Sequence, residues 1–362
     1  MKILIFNWRD IKNPEAGGAE VYTHEIAKRL ANRGHKLVLI TAGFKKAKEE
    51  EIIDGVYIFR VGNKYSVYWR AKDFYLKNLA QEGFDVLVDE INTRPFFCVK
   101  FAKNGTRVVA LIHQLAREFW FYEMPFPLSL IGYFLEKYWL SFYRKVPTVT
   151  VSPSTRKDLK RWGFQNIEIV PNGINVEPLS RLPVKNSRPT IIFVGRMKRA
   201  KKPQDVLRAF EMVRNEIGDA ELWMVGDGYM RSTLEDRKPE GVKFWGYLAG
   251  EKKNELVKKA WVIAVPGVRE GWGQVVTDAN ALGTPAVGYN IPGLSDSIKN
   301  GYNGLLVNPD PRSLAEGLIA LLKDARLREK LSRNAIEWAR QFSWDRSAEE
   351  FERVLEQVVN SE

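Results

Sequence analysis

The chain has 362 residues, 45% of them hydrophobic and 28% charged, and a formal net charge of +12. That length exceeds one ordinary core, so two domains are expected, and the balance excludes a disordered chain. A single cysteine, Cys98, excludes an intrachain disulfide and a cysteine-based zinc cluster, and no apolar run approaches the roughly 18 residues of a membrane span. The opening residues Met1-Lys2-Ile3-Leu4-Ile5-Phe6 read as a first strand at 2–7, not as a signal peptide, and a cytoplasmic protein is expected. Strands follow at 36–41, 56–61, 86–89, 107–113 and 148–152, with helices at 19–32 and 65–82. A break at 171–189 is rich in Pro, Asn and Arg and poor in periodic apolar residues. Beyond it, strands at 190–195, 221–226, 242–245, 262–266 and 285–289 alternate with helices at 203–217, 250–260, 274–282 and 311–323. This alternation predicts an α/β chain of two Rossmann-like, doubly wound domains. Ligands bind beyond the carboxyl ends of such strands, so an interdomain cleft is the expected site.

Residues 1–180 carry 27 Lys+Arg against 19 Asp+Glu, a net +8; the remaining 182 carry 29 against 25, a net +4. The front half therefore suits an anionic partner, although general solubility with Lys/Glu richness explains the charge equally well. The loop Asn13-Pro14-Glu15-Ala16-Gly17-Gly18-Ala19-Glu20 joins the first strand to a helix. Paired glycines let backbone N–H groups approach a phosphate at a helix N-terminus; the alternative is an ordinary capped turn. It lacks the Gly-x-Gly-x-x-Gly pattern, which disfavours a nicotinamide cofactor.

His113 ends an apolar strand, where an imidazole can donate to a sugar hydroxyl or phosphate, or sit buried and satisfied. His24 and His35 read as structural, and three scattered histidines disfavour a metal site. Between 117 and 146 aromatics crowd beside Lys137, Arg144 and Lys145. That suits an interfacial patch or a groove for a lipid-linked acceptor, or else a core helix pair.

Gly195-Arg196-Met197-Lys198-Arg199-Ala200-Lys201-Lys202 follows the first strand of the second half. Arg196 can fork two phosphate oxygens and Lys201 can supply a point charge; Lys198 and Arg199 read as solvated. Glu270-Gly271-Trp272-Gly273-Gln274-Val275 opens a helix after the strand at 262–266, and Asp278 lies inside that helix. The two acids could be a hydrolase pair, but a glycosidase needs no basic diphosphate cradle. A nucleotide-linked sugar explains more of these residues.

In order along nearly the whole chain, these motifs resemble a GT-B-fold retaining glycosyltransferase of family 4. The resemblance rests on Gly17-Gly18-Ala19-Glu20, His113, Val170-Pro171-Asn172-Gly173-Ile174, Gly195-Arg196 with Lys201, Val225-Gly226-Asp227-Gly228, Glu270-Gly271-Trp272-Gly273 with Asp278, and Phe342-Ser343-Trp344. Two residues depart from the pattern: Asp278 stands where Glu is usual, and Trp272 where Phe is usual. The resemblance implies an acceptor-binding domain at 1–172, a linker at 173–188, a donor-binding domain at 189–342, and a helix at 343–362 packing back on the first domain. It implies transfer of a hexose from GDP-mannose or a UDP-hexose to a glycan or lipid-linked acceptor, with no metal and no cofactor. Arg196, Lys201 and the N–H groups around Gly17, Gly18 and 272–275 would hold the diphosphate, with Gly195 and Gly226 at the strand ends. Glu270 would bind the transferred sugar, Asp278 the ribose, and His113 the donor sugar near the reacting carbon. The base would lie at the backbone of Gly246-Tyr247. Peripheral association with the inner face of an anionic membrane fits the basic, aromatic front half; a nucleic-acid partner is not expected. A nucleotide-sugar epimerase, or a non-catalytic RNA- or membrane-binding protein on the same scaffold, are the competing readings.

Overall fold

The structure is a computed structural model that describes residues 1–103 and 105–361. The chain divides into two compact units. Met1–Arg117, Leu130–Gly173 and Ser343–Glu362 make the first; Glu118–Ser129 and Ile174–Phe342 make the second. The first unit's strands are β1 (Lys2–Phe6), β2 (Lys36–Thr41), β3 (Glu50–Ile53), β4 (Val56–Arg60), β5 (Val86–Glu90), β6 (Arg107–Ile112), β7 (Thr148–Thr150) and β8 (Ile167–Ile169). The second unit's are β9 (Thr190–Val194), β10 (Glu221–Val225), β11 (Val242–Gly246), β12 (Val262–Val265), β13 (Ala286–Tyr289) and β14 (Gly304–Val307).

The first sheet runs β3-β4-β2-β1-β5-β6-β7-β8, parallel except where β3 meets β4. Its central strand shows why: Ile3, Leu4, Ile5 and Phe6 are all buried, the unbroken apolar run of a strand covered on both faces. Helix Gly18–Asn32 covers the sheet through Tyr22, Ile26 and Leu30, spaced four apart on one stripe. Helix Trp344–Asn360 packs on that helix, burying Trp344, Ala348, Phe351 and Leu355. Arg33 pairs with Glu349 and Glu352, and Ser347 Oγ donates to the Pro171 carbonyl at 2.7 Å. The last helix therefore completes the first unit.

The second sheet runs β11-β10-β9-β12-β13-β14 and is wholly parallel. Helices Pro203–Glu216 and Pro311–Lys323 pack on each other, and helix Ala325–Ala339 packs on helix Gln274–Ala281.

Most differences from the expected elements are local. β3, β8, β14 and helix Ala325–Ala339 are additions; the first three have only three or four residues, too few for a periodic signal. The helix expected at 65–82 is Val67–Phe74, continued by a π-helical turn at Tyr75–Leu79. One difference is not local. Glu118–Ser129, expected inside the first domain, belongs to the second unit. Among the described residues no helix is long and apolar enough to cross a membrane.

Candidate functional site

In the second sheet the chain reverses direction of winding between β9 and β12, the position at which doubly wound sheets hold ligands. The loops after these two strands carry the residues singled out in the sequence. Lys201, in the 3-10 turn Arg199–Lys201, forms an ion pair with Glu270. The backbone braces the same loops: Val268 N–H donates to Ala200 O at 3.0 Å, and Glu270 N–H to Pro292 O at 3.2 Å. Gly293 has φ +85°, and a Cβ there would strike the Glu270 carbonyl, so only glycine permits this approach. Arg196 is half-buried in the loop that starts at Gly195. Gly195 N–H donates to Val225 O, and Gly226 N–H to Gly246 O, so both glycines are strand-end linkers. Gly226 also has its Cβ position filled by the Gly195 carbonyl. Tyr247, just beyond β11, is 75% exposed.

Helix Gln274–Ala281 starts from Gly273, at φ +88°, and no side chain caps it. Its opening turn therefore presents backbone N–H groups and the positive end of the helix dipole. The indole of Trp272 is packed edge-on to Phe342 at 5.1 Å and is only 6% exposed. The Phe-to-Trp departure is thus a packing change beneath the Gly271–Gly273 turn. Asp278 is buried and heavily engaged. Its Oδ1 accepts from Asn175 N–H at 3.1 Å and from Gln274 Nε2 at 3.0 Å, and its Oδ2 accepts from Asn175 Nδ2 at 3.0 Å. Asn175 gave no signal in the sequence because its partner lies 103 residues away.

Lys198, expected in solvent, is half-buried with its ammonium 4.5 Å from the ring centre of Phe119. Burial, aided by Arg196, pulls its pKa down to about 8. Arg199 is exposed as expected, and its N–H donates to Tyr229 Oη at 2.8 Å. Phe119 arrives with Glu118–Ser129, the segment displaced from the first unit. Glu123 of that segment accepts from Ala200 N–H at 2.9 Å and from Tyr229 Oη at 3.3 Å. A carboxylate thus fastens the basic loop through contacts that no local pattern reveals.

In the first unit the corresponding reversal lies between β1 and β5. His113, one residue past β6, has Nε2 at 3.2 Å from Glu90 Oε1. The other Glu90 oxygen accepts from Asn7 Nδ2 at 2.6 Å and Thr23 Oγ1 at 2.5 Å. Burial pushes the Glu90 carboxyl up, while these donors favour its ionised form. An ionised Glu90 only accepts, so it places the imidazole proton on Nε2. Tyr22 stands edge-on to the same ring, 5.0 Å away between centroids. Glu90 was absent from the expected site; its only sequence signal is an acid pair, Asp89-Glu90, ending an apolar run.

Gly17 and Gly18 open helix Gly18–Asn32 as expected, but the N–H of Gly17 donates to Glu20 Oε2 at 2.6 Å. That group is already used, which leaves the N–H groups beyond it for any anion. Arg9 balances Glu20, with Nε 3.3 Å from Oε1. Among the described residues no group of three or more His, Cys, Asp or Glu side chains is placed to hold a metal ion.

Two family models match successive parts of the chain. "Glycosyltransferase Family 4" matches residues 16–178 and "Glycosyl transferases group 1" matches residues 179–338. An uncharacterised glycosyltransferase of Methanocaldococcus jannaschii is 27% identical over 389 residues, spanning 97% of this chain and 96% of the relative. The N-acetyl-alpha-D-glucosaminyl L-malate synthase of Bacillus anthracis is 26% identical over 378 residues, with 96% of each covered. Among solved structures, sucrose-phosphate synthase from Thermosynechococcus elongatus superposes with a TM-score of 0.82 over 98% of both chains at 18% identity, a likeness of fold.

Proposed function

The chain belongs to the group 1, family 4 glycosyltransferases of GT-B fold, hexosyl-type transferase enzymes, and on that premise we propose that it moves a hexose from a nucleoside diphosphate sugar, a UDP-hexose or GDP-mannose, to a glycan or lipid-linked hydroxyl with retention of configuration. The observation that carries this reading is the Lys201–Glu270 pair beside the uncapped start of helix Gln274–Ala281, with Arg196 in the same loop system. Cations and helix N–H groups at the switch point of a parallel sheet suit a diphosphate.

Arg196, Lys201 and the N–H groups of 272–275 would oppose the charge that develops on the departing diphosphate. These cations do the work for which other transferases use a metal, so no metal or cofactor is required in the proposal. Glu270 would accept from hydroxyls of the transferred sugar. Lys201 pairs with that carboxylate and aims it. His113, with its proton held on Nε2 by Glu90, would bind the donor sugar by accepting from a hydroxyl at Nδ1. Gly246-Tyr247 would border the base. The ribose role of Asp278 is proposed with a change: its oxygens already serve Asn175 and Gln274, so the ribose would share lone pairs still open on them. The Gly17-Gly18 loop would serve the diphosphate through N–H groups other than that of Gly17.

Peripheral contact with an anionic membrane from the cytoplasmic side is part of the same proposal, supported by the exposed apolar face of helix Leu128–Ser141. The epimerase and RNA-binding readings have no observation in their favour.

The test is a thermal-shift screen of UDP, GDP and their sugars. A binding nucleotide raises the melting temperature by mass action, by about 2.7 kcal/mol of stability at 100-fold over Kd. Arg196→Ala should fold normally and lose roughly 10²–10³-fold in turnover, the usual cost of one transition-state donor. A folded Arg196→Ala protein with unchanged turnover would remove the diphosphate clamp from the proposal.

A further inference from the structure

A cavity of about 710 Å³ opens in the first unit beyond the carboxyl ends of β1, β2 and β4. It lies off the switch point of that sheet and holds none of the residues assigned above. Its walls are aromatic, from Trp8, Phe44 and Tyr65, and Lys45, Lys48 and Lys64 stand among its lining residues. Arg9 and Arg60 line it too, but each is committed: Arg60 to Asp10 and Glu51, Arg9 to Glu15 and Glu20. The three lysines are exposed and form no ion pair among the described residues; against them the lining sets the exposed carboxylate of Glu49, so the mouth keeps an excess of positive charge. Trp8 Nε1 is buried with no hydrogen-bond acceptor, and the Arg9 guanidinium lies 4.0 Å over the Trp8 ring. Through Arg9 and Glu20 the cavity adjoins the start of helix Gly18–Asn32.

An aromatic wall suits the C–H face of a sugar or cyclitol ring, and exposed ammonium groups suit an anion. The volume lies within the range of small-molecule sites. We propose that this cavity binds the acceptor and that the acceptor carries a phosphate or carboxylate next to the hydroxyl that is glycosylated. The inference rests on the glycosyltransferase reading above and adds the chemistry of the acceptor. In the reaction the acceptor oxygen bonds to the anomeric carbon, the bond from that carbon to the diphosphate oxygen breaks, and the hydroxyl proton leaves on the diphosphate. The acceptor's anion stays unchanged and serves only for recognition.

The experiment uses the full chain with its donor loops filled by saturating UDP or GDP, whichever the thermal screen selects. Calorimetric titrations compare glucose 6-phosphate with glucose, and flotation compares phosphatidylcholine vesicles with and without phosphatidylglycerol. A variant carrying Lys45→Gln, Lys48→Gln and Lys64→Gln is set against a charge-matched control away from both this cavity and the helix Leu128–Ser141, Lys238→Gln, Lys252→Gln and Lys330→Gln. Both sets lie on exposed side chains, and an unchanged melting temperature and nucleotide shift confirm folding. The expected result is that the phosphate-bearing probe binds, that glucose binds at least about tenfold more weakly, and that the cavity variant alone loses about tenfold or more, as loss of charge-assisted contacts implies. A loss seen only with phosphatidylglycerol vesicles, again confined to the cavity variant, supports the proposal with a lipid-borne anion. Equal affinity for glucose, equal losses in the two variants, or no binding of either anion overturns it. If no nucleotide shifts the wild-type protein, the donor reading has failed; if nucleotide binds and the anions do not, only this inference has.

Discussion

At the scale of single residues, the side chains that act furthest from their sequence neighbours are the buried ionisable ones. Lys185 is a clear case. Its Nζ donates to Lys258 O at 3.1 Å and to Gly283 O and Thr284 Oγ1 at 2.9 Å each. Burial first, then Arg328, brings its pKa from the ordinary 10.5 down to about 7. Between those values the unfolded chain binds the proton and the folded chain does not, so stability rises as pH rises through that window. Each pH unit adds up to about 1.4 kcal/mol. The melting temperature of the wild type should therefore gain on that of Lys185→Met from pH 7 to pH 10; parallel curves would show that Lys185 keeps its proton. Such residues mark the limit of sequence reading. Glu270, Arg196 and Lys201 were legible because they sit at strand ends inside short motifs. Glu90, Asn175 and Glu123 were not, since each acquires its meaning from a partner placed by the fold: His113, Asp278 and Ala200.

At the scale of elements, helix Leu128–Ser141 inverts the usual amphipathic arrangement. Its charged Glu136 faces inward, accepting from Ala116 N–H at 2.5 Å and Arg117 N–H at 2.8 Å. Ile131, Phe134, Leu135 and Tyr138 face solvent instead, with Phe134 66% and Tyr138 61% exposed. Aromatic density at 117–146 could not show this, because composition does not say which face turns in. Leu140 and Tyr143 are core, as the helix-pair reading has it, while the opposite stripe suits an interface. Nearby cations, Lys137, Arg144 and Lys145, are all exposed. Burying two aromatic side chains in a headgroup layer is worth roughly 1.5–3 kcal/mol each. Phe134→Ser with Tyr138→Ser should then reduce flotation with phosphatidylglycerol vesicles by about tenfold or more while leaving the melting temperature near wild type. Absence of wild-type flotation at low salt would sink the membrane reading and leave the stripe as bare surface.

At the scale of the whole molecule, chain order and spatial order part company twice. The segment Glu118–Ser129 leaves the first unit for the second, and the last helix returns from the second to the first. The alternation of strands and helices made the two sheets readable, and the motif at Phe342-Ser343-Trp344 made the returning helix readable. Nothing in the 118–129 segment announced its partner, because Glu123–Ala200 and Phe119–Lys198 are contacts across about 80 residues of chain, inside one unit but not one motif. The returning helix carries a direct prediction. Trp344, Phe351 and Leu355 each contribute roughly 1.5–3 kcal/mol on burial, a sum comparable with the whole stability of an average domain. A chain ending at Phe342 should keep a cooperatively folded second unit and lose the first, seen as the loss of one calorimetric transition. Supplying a peptide of residues 343–360 should restore it. Two intact transitions in the truncated chain would refute this.

Seen from the ribosome, that helix reverses the order of manufacture. The 169 residues between Gly173 and Ser343 must be made before the first sheet receives its last covering helix. At usual elongation rates this is about 10 to 30 s. In that interval Tyr22, whose ring meets Trp344, and the flank of helix Gly18–Asn32 wait without those partners, while the second unit already has its complete set of strands. The half of the chain born first is the half finished last, and its apolar flank is where a nascent-chain holdase would find its longest opportunity.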